Sequence, residues 1–463
     1  MEPNTLHRLE FAFTITYHYL FPQLTMGLGL LLVVFSYLAT FKKSAIARDA
    51  LSFWSRVFGV NFVFGVITGI PMEFHFGAGW ARFSERAGGV IGQTLAMEGV
   101  FAFFLESSFL YLLLFGAKKL GPKAHFASAV AVMVGSWASA YFIIVTNAFM
   151  QHPVGHRVLP DGSLALESLS TYLTNPWALV EMAHTILASV VTASFVVASV
   201  GAFYLLSKKH AAHAKLFLKV GVVAGAVAAI LVAFPAGDAQ SKLVAHHQPA
   251  TFAGLEGHFH TEDGAGLTLI GQPDLDRMRL DNPVVIPKAL SFMTYQRWNA
   301  RIEGLADFPR DEWPDNVPLL YYSYHVMVGL GTMFIALMAT SLVLLRKGRL
   351  FRVRPLLWAL MLALPFPYIA NTAGWLTAEL GRQPWIIHGV MRTRDGSTTT
   401  VSSGNVLFSL LGFMGLYAFL SLLFFFLIQR IVAKGPVGDA AHGSTKSETS
   451  TPREAARPEE ATK

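Results

Sequence analysis

Apolar runs of about 20 residues, each long enough to cross a lipid bilayer, recur along this chain from end to end. In the sequence of 463 residues, 53% are hydrophobic and only 14% are charged, whereas soluble proteins carry roughly 25% charged residues. Because a soluble fold cannot hide so much apolar surface, we predict an all-α polytopic membrane protein with about nine transmembrane helices. The predicted spans are approximately 14–41, 53–78, 93–117, 126–150, 175–206, 212–235, 317–345, 355–379 and 404–433.

Basic residues in the short loops predict the orientation, because Lys and Arg near helix ends are retained in the cytoplasm. Alternate loops hold 15 basic residues against one acid, Asp49, whereas the long connection 236–316 holds 12 acids against 7 basic residues. We therefore predict that the N-terminus and this connection lie outside and that the C-terminus is cytoplasmic. The formal net charge of +7 then reflects topology, and no nucleic acid partner is expected.

The sequence divides into a six-helix membrane part (1–235), an external connection (236–316), a three-helix membrane part (317–433) and a tail (434–463) that its polar, charged composition predicts to be disordered. The first span lacks the charged flank and cleavage site of a signal peptide, so we interpret it as a true span. The chain has no cysteine, which excludes iron–sulfur clusters and covalently attached c-type haem. Any redox centre must therefore use His, Met or carboxylate ligands.

Several ionisable residues lie inside the predicted spans, where their cost makes a functional role the default hypothesis. Glu98 and Glu106 are separated by about 12 Å along a helix and lie within one broad face, so they could relay protons. The structural alternative is that each carboxyl group is protonated and hydrogen-bonded to a neighbouring helix. The full set is His18, Glu73, His75, Glu98, Glu106, Glu181, His184 and Glu379.

His184 and Met327 each lie roughly nine residues inside the outer end of a predicted span, so they can lie at one depth. Imidazole and thioether are a common axial pair for haem iron, and the pair raises its reduction potential. However, a Met at helical spacing usually packs in a core, and a lone His is usually a satisfied polar residue. The pair alone leaves both interpretations open.

A series of short motifs, each at the expected span, resembles subunit I of the cytochrome bd quinol oxidases. The resemblance extends over essentially the whole chain up to about residue 433. The motifs are Tyr17-His18-Tyr19-Leu20-Phe21, Met72-Glu73-Phe74, Glu98-Gly99, Phe103-Phe104-Leu105-Glu106-Ser107, Asn147-Ala148-Phe149-Met150-Gln151, Val326-Met327-Val328-Gly329, Gly374-Trp375 and Glu379-Leu380-Gly381-Arg382-Gln383-Pro384-Trp385.

The resemblance implies that His184 and Met327 ligate a low-spin haem b. It also implies that His18 and Glu379 bind a high-spin haem b and a haem d. Family members differ in which of these two sites holds haem d, and we favour His18 for haem d and Glu379 for the high-spin haem b. The expected cofactors are two haem b and one haem d, with a third haem b as the alternative to haem d.

By the same resemblance, Glu98 and Glu106 lie beside the oxygen-reducing centre and on its proton path. Further positions match residues that line the haems or the proton route, and these are Arg8, His125, Ser139, Trp375 and Arg382.

The connection 236–316 resembles the quinol-binding loop of the family, in its shorter form. Glu256, at the end of the motif that begins at Gln248, matches the carboxylate that interacts with quinol. The chain departs from the family pattern at Thr251, where Lys is usual, and at His325, where Arg is usual. Thr cannot supply a positive charge and His is charged only part of the time near neutral pH, so both changes bear on quinol affinity and haem potential.

We therefore expect an enzyme of the bacterial inner membrane that oxidises ubiquinol or menaquinol at the outer face and reduces dioxygen to water. Protons would come from the cytoplasm past Glu106, which would build a proton gradient without pumping. The resemblance also implies a second large subunit, subunit II, and in some members a small single-span subunit.

Three rival hypotheses remain open. A proton- or cation-coupled transporter would also bury carboxylates and histidines in its spans. A haem-copper oxidase would share the reaction, but it needs clustered copper-binding histidines at membrane depth. A non-catalytic haem or assembly protein is the third.

Overall fold

The computed structural model describes residues 3–436, and helices make up most of them. Nine helical segments within this range are long and apolar enough to cross a membrane, which confirms the predicted fold class. Most of the predicted tail, residues 437–463, lies outside the described residues. The nine segments are Pro3–Thr40, Ala45–Ala78, Ala81–Phe115, Pro122–Gln151, Leu169–Leu206, Ala211–His247, Val317–Arg346, Arg354–Arg382 and Ser403–Lys434.

These segments are built from α-helices that several interruptions divide. The α-helices are α1 (Pro3–His18), α2 (Leu20–Thr40), α3 (Ala45–Ala78), α4 (Ala81–Met97), α5 (Phe104–Phe115), α6 (Pro122–Gln151), α7 (Leu169–Leu173), α8 (Pro176–Leu206), α9 (Ala211–Leu231), α10 (Asp238–His247), α11 (Pro249–Glu256), α12 (Ala289–Tyr295), α13 (Val317–Arg346), α14 (Arg354–Leu362), α15 (Phe366–Arg382) and α16 (Ser403–Lys434).

Two spans contain π-helical segments that hydropathy does not reveal. Glu98–Phe103 joins α4 to α5, and Val232–Gly237 joins α9 to α10. The second contains Pro235, which lacks the amide hydrogen that a regular helix needs. Beyond this segment the sixth span continues as α10 to His247, past its predicted end near residue 235. Its last turns are polar but helical, and Lys242 pairs with Asp238 one turn before it.

The helix bundle packs around α8, which forms most of the fifth span. In the most apolar window of this span, a stretch of 18 residues, 78% of the residues are buried. Gly27 of α2 lies directly against the Ser189 backbone of α8, with no space for a side chain. By contrast, the most apolar window of the ninth span is only 11% buried. The periphery of the bundle therefore presents apolar surface to lipid or to another membrane subunit.

Short antiparallel strand pairs decorate the connections between spans. The strands are β1 (His156–Val158), β2 (Leu164–Leu166), β3 (Glu262–Asp263), β4 (Leu267–Asp274), β5 (Arg279–Ile286), β6 (Arg301–Ile302), β7 (Trp385–Ile387) and β8 (Met391–Arg392). They pair as β1–β2, β3–β6, β4–β5 and β7–β8. Because the sixth span extends to His247, the long connection covers residues 248–316 and not 236–316. It holds a β-hairpin and two helices, packed against the end of α13 that carries Val317.

Candidate functional site

The predicted ligand His184 is half-buried on α8 beside the second π-helical segment. A Cβ built on Gly237 of that segment would lie 3.5 Å from the His184 ring. The Nδ1 atom of His184 is buried, and the Val232 main chain of the π-helical segment is close enough to interact with the ring. A backbone partner fits a structural histidine, and it equally fits a metal-ligating histidine that uses its second nitrogen for a hydrogen bond.

Met327 lies on α13 and faces α15. A Cβ built on Gly374 would lie 2.9 Å from the Met327 sulfur, so the glycine makes room for the sulfur in this position. The structure therefore places each member of the predicted ligand pair against a glycine of a neighbouring helix. That the two share one depth, and one iron, stays a prediction.

His18 is the last residue of α1, at the break between α1 and α2. Its Nδ1 lies 3.0 Å from the Thr68 hydroxyl, and a Cβ on Gly69 would lie 2.9 Å from its Cε1 atom. Metal-ligating histidines commonly use one ring nitrogen for a hydrogen bond and the other for the metal. Thr68 gives His18 this hydrogen bond, and Gly69 leaves room for its ring. Neither residue was predicted from the sequence.

Glu379 and Arg382 form an ion pair on α15. Asn147 of α6 donates a hydrogen bond of 2.8 Å to Glu379 Oε1, and Arg382, which is buried, donates one of 2.6 Å to the Ile386 carbonyl. Glu181 of α8 is close enough to interact electrostatically with Glu379. Three helices thus converge on the predicted haem-binding carboxylate.

Trp375 precedes Glu379 by one turn on α15, and its ring centroid lies 6.5 Å from that of Tyr19. The Tyr19 hydroxyl donates a hydrogen bond to Thr372. Because Tyr19 follows His18 directly, these contacts join the His18 region to the helix that carries Glu379. The structure thereby brings the two predicted haem positions into one neighbourhood.

Glu98 and Glu106 converge on one stretch of α6. Ser139 donates a hydrogen bond of 2.6 Å to Glu98 Oε1. A Cβ on Gly135 would lie 3.0 Å from the Glu106 Cβ, and the Ser136 hydroxyl interacts with the Glu106 carboxyl group. Ser136 and Ser139 are less than one turn apart, and the two carboxyl groups are close enough to interact electrostatically.

The first π-helical segment begins at Glu98, so the two glutamates are not joined by a regular α-helix. The prediction that the two glutamates share a helical face assumed a regular α-helix. In the structure, what they share is contact with the same stretch of α6. Glu106 is buried, with one carboxyl oxygen that meets no donor in the described part of the chain. π-Helical segments inside α-helices are frequent at functional sites.

Glu256 lies at the end of α11 in the long connection and is buried. Tyr324 of α13 donates a hydrogen bond of 2.8 Å to its Oε1 atom. Burial raises the pKa of Glu256 to about 7, and the Tyr324 hydrogen bond partly opposes this shift. The carboxyl group is therefore suited to exchange a proton near neutral pH.

Arg8 lies at the surface, where it forms an ion pair of 2.7 Å with Asp315. It also donates a hydrogen bond of 3.3 Å to Gln383 Oε1. These contacts tie α1 to the long connection and to the end of α15. That Arg8 also lines a haem stays a prediction.

Within residues 3–436, no group of three or more His, Asp or Glu side chains is arranged to hold a metal ion. A haem needs only one or two side-chain ligands, whereas the copper centre of a haem-copper oxidase needs a cluster of histidines. The arrangement therefore favours an oxidase that binds only haem over a haem-copper oxidase.

Comparison with known proteins finds relatives that match nearly the entire chain. Residues 6–436 match the family described as "Cytochrome bd terminal oxidase subunit I". The chain is 32% identical over 451 residues to "Cytochrome bd ubiquinol oxidase subunit 1" of Bacillus subtilis (strain 168), covering 96% of each sequence.

Two further relatives extend the comparison to a second organism and to a solved structure. The chain is 29% identical over 497 residues to "Cytochrome bd-II ubiquinol oxidase subunit 1" of Escherichia coli (strain K12), covering 93% of this chain and 96% of the relative. It superposes with a TM-score of 0.88 and 30% identity on the bd oxidase from Geobacillus thermodenitrificans, covering 94% of this chain and 99% of the other. The chain therefore belongs to the cytochrome bd terminal oxidase subunit I family, and it is a multi-pass, haem-protein component of a respiratory quinol oxidase in the bacterial inner membrane.

Proposed function

We propose that this chain is the catalytic subunit that oxidises quinol at the outer face and reduces dioxygen to water with cytoplasmic protons. It would thereby build a proton gradient without pumping. The residues 1–235 and 317–433 form the haem-binding membrane part in this proposal, and the connection between them binds quinol. The distribution of basic residues supports an outer N-terminus and a cytoplasmic C-terminus.

One contact carries the proposal furthest, the hydrogen bond between Glu256 and Tyr324. Tyr324 lies one helical turn before Met327, so the carboxyl group predicted to bind quinol is tied to the helix that carries a predicted haem ligand. A transporter gives no reason for this link.

The donor atoms suit haem. His184 and Met327 would hold a low-spin haem b, and the Val232 main chain, which interacts with the His184 ring, would orient that imidazole. His18 would hold haem d and Glu379 the high-spin haem b, or a third haem b would take the place of haem d. When bound, these groups supply the electron transfer and the oxygen chemistry.

Neighbouring side chains balance and orient the negative charge of Glu379. The guanidinium of Arg382 pairs with the carboxylate and Asn147 donates to it, so the carboxylate keeps a fixed orientation. Trp375 fills the adjacent space beside Tyr19. Arg8 would hold the surface end of this region through Asp315 and Gln383.

At the quinol site, Glu256 would accept a proton from the substrate hydroxyl and release it to the outside. Its raised pKa allows it to take up and release a proton near neutral pH. Tyr324 orients the carboxyl group by donating to one oxygen, while the other oxygen is buried and has no partner among the described residues.

Glu98 and Glu106 would pass protons toward the oxygen-reducing centre along α6. Ser136 and Ser139 provide hydroxyl groups that interact with the two carboxyl groups. Because Glu106 is the further of the two from the outer end of its span, a cytoplasmic supply would reach it first.

The proposed partners are subunit II and a small single-span subunit. The third, seventh and ninth spans bury only 22%, 17% and 11% of their most apolar windows within this chain. These spans therefore offer apolar surface that other membrane helices can cover.

A reduced-minus-oxidised absorption spectrum of the purified complex, recorded with its rate of quinol-dependent oxygen consumption, tests the proposal. We expect b-type bands, a far-red chlorin band and oxygen consumption. Absence of both sets of bands would exclude the oxidase and favour a transporter. The bands without oxygen consumption in the complete complex would favour a non-catalytic haem protein.

A further inference from the structure

The β4–β5 hairpin of the long connection exposes apolar side chains along one end. In β4 and β5, the exposed apolar residues are Leu269, Ile270, Val284, Val285 and Ile286. Exposed apolar residues grouped at one end of a hairpin are typical of a binding face. What covers it can be argued from its position on the bundle.

Two contacts and one shared apolar cluster show how the hairpin lies along α13. They are the Thr268 carbonyl with His325 Nε2 at 3.1 Å, Gly271 against the Tyr321 hydroxyl, and Leu280 in an apolar cluster with Val317. The α13 partners are spaced by four residues, about one turn each. The hairpin therefore runs along the helix axis, with its turn near the loop end of α13 and its open end nearest the membrane.

The length of α13 gives the depth of that open end. The helix has 30 residues, or about 45 Å, whereas the hydrocarbon core of a bilayer is about 30 Å thick and needs about 20 residues. Counting about 20 residues back from Arg346 reaches Met327. His325, and with it Thr268, consequently lies at the boundary between hydrocarbon and headgroups.

The polarity of the hairpin follows this depth. The end away from the membrane is charged, and it carries Asp274, Asp276, Arg277, Arg279 and Asp281. The end at the boundary is aliphatic. A hairpin in water alone would have no reason for such a gradient.

The segment after β5 adds the residues that favour a lipid interface. Met293, Tyr295 and Trp298 are exposed, and the Trp298 ring stacks on Phe292 with centroids 4.2 Å apart. Two exposed cations stand in the same segment, Lys288 and Arg297. Aromatic and basic residues beside aliphatic ones are characteristic of membrane interfaces.

A protein strand is the other candidate to cover the hairpin, because within residues 3–436 β5 pairs only with β4 and has an open edge. Pro283 stands in this strand and removes a backbone donor, which is a common defence of edge strands against strand addition. On α13, Tyr322 and Val326 are also exposed, and they directly follow Tyr321 and His325, which contact the hairpin. Lipid fits these features better than a strand does.

We propose that the open end of the β4–β5 hairpin, together with Met293–Trp298, rests in the headgroup region of the bilayer as a lipid anchor. It holds the long connection at the surface from which a membrane-dissolved substrate arrives. The proposal depends on the membrane fold and not on the assignment of any haem ligand.

The chain has no cysteine, so single nitroxide labels can be placed on it without a background from this subunit. The test uses I270C and I286C, with R277C in the charged turn as the matched control, in the complete complex in lipid nanodiscs. The unsubstituted complex, carried through the same labelling, gives the signal of any other subunit. V284C replaces either variant that fails to assemble, as judged by its haem spectrum.

Collision of each label with dissolved oxygen, which concentrates in lipid, is compared with collision with a water-soluble nickel chelate. We expect oxygen to relax the labels at 270 and 286 several-fold more than nickel does, and the label at 277 to show the reverse. Preference for nickel at 286 would overturn the proposal in favour of open solvent. Protection from both reagents would overturn it in favour of a covering protein.

Discussion

Thr251 donates a hydrogen bond of 2.6 Å to the main-chain carbonyl of Gly381, and so joins the long connection to α15. The Thr251 methyl group faces Gly381, where a Cβ would approach it to 2.6 Å. The motif resemblance leads us to expect a lysine at this position. The structure gives Thr251 a separate role, because its buried hydroxyl fixes α11 one residue away from the Arg382 that pairs with Glu379.

We predict that Thr251→Val weakens quinol binding. Loss of one hydrogen bond costs about 1 kcal/mol, which corresponds to a rise of about five-fold in apparent KM for quinol. Steady-state oxygen consumption measures it, and the haem spectrum should not change. Thr251→Ser keeps the hydroxyl and is the control; equal KM values for the two variants would show that the hydrogen bond is irrelevant.

Quinol oxidation should speed up as pH rises through about 7. Burial raises the pKa of Glu256 to about 7, so below that pH the group is protonated and cannot accept a proton from quinol. Glu256→Gln should remove this limb of the pH–rate profile. Tyr324→Phe should move it to higher pH, since the lost hydrogen bond favoured the charged form; a limb that stays in place would contradict the assignment.

We expect His184→Ala and Met327→Leu to abolish the low-spin haem b signal selectively in the reduced-minus-oxidised spectrum. Removal of either axial ligand leaves the iron without six-coordinate, low-spin ligation. Met333→Leu, two turns further along α13, makes the same chemical change at a partly exposed position and should keep the full signal. Retention of that signal in Met327→Leu would show that the sulfur is not a ligand.

Glu106→Gln should slow oxygen reduction by about ten-fold or more, the lower range for loss of a proton-transfer group, while apparent KM for quinol stays unchanged. Gln preserves the shape of the buried side chain but cannot carry a proton. Single-turnover reaction of the reduced enzyme with oxygen measures the step directly. The exposed Glu85 supplies the control, Glu85→Gln, and equal rates in both variants would remove Glu106 from the proton path.

The number and type of spans could be predicted from the sequence because apolar length alone determines them. The π-helical segments at Glu98 and Val232 could not, since each changes the helical register while the composition stays apolar. The sixth span was predicted too short for a different reason. Its extension from Asp238 to His247 is polar, and polarity does not prevent a helix from continuing into water.

The predicted site residues came from motifs, which name residues but not their partners. Asn147 and Glu379 are 232 positions apart, and no spacing rule joins them. The same is true of Glu256 and Tyr324, which are 68 positions apart. Thr68, Gly237 and Gly374 carried no chemical signal in the sequence because they act by supporting or making room for a neighbour.

The link from Glu256 through Tyr324 to α13 also fixes a distance. Tyr324 and Met327 are separated by one helical turn, about 4.5 Å along the axis. Under the proposed function, the first is tied to the electron donor and the second to its first acceptor. Under the same proposal, this short stretch of rigid helix would act as a spacer between donor and acceptor, and changes elsewhere in the connection would not alter it.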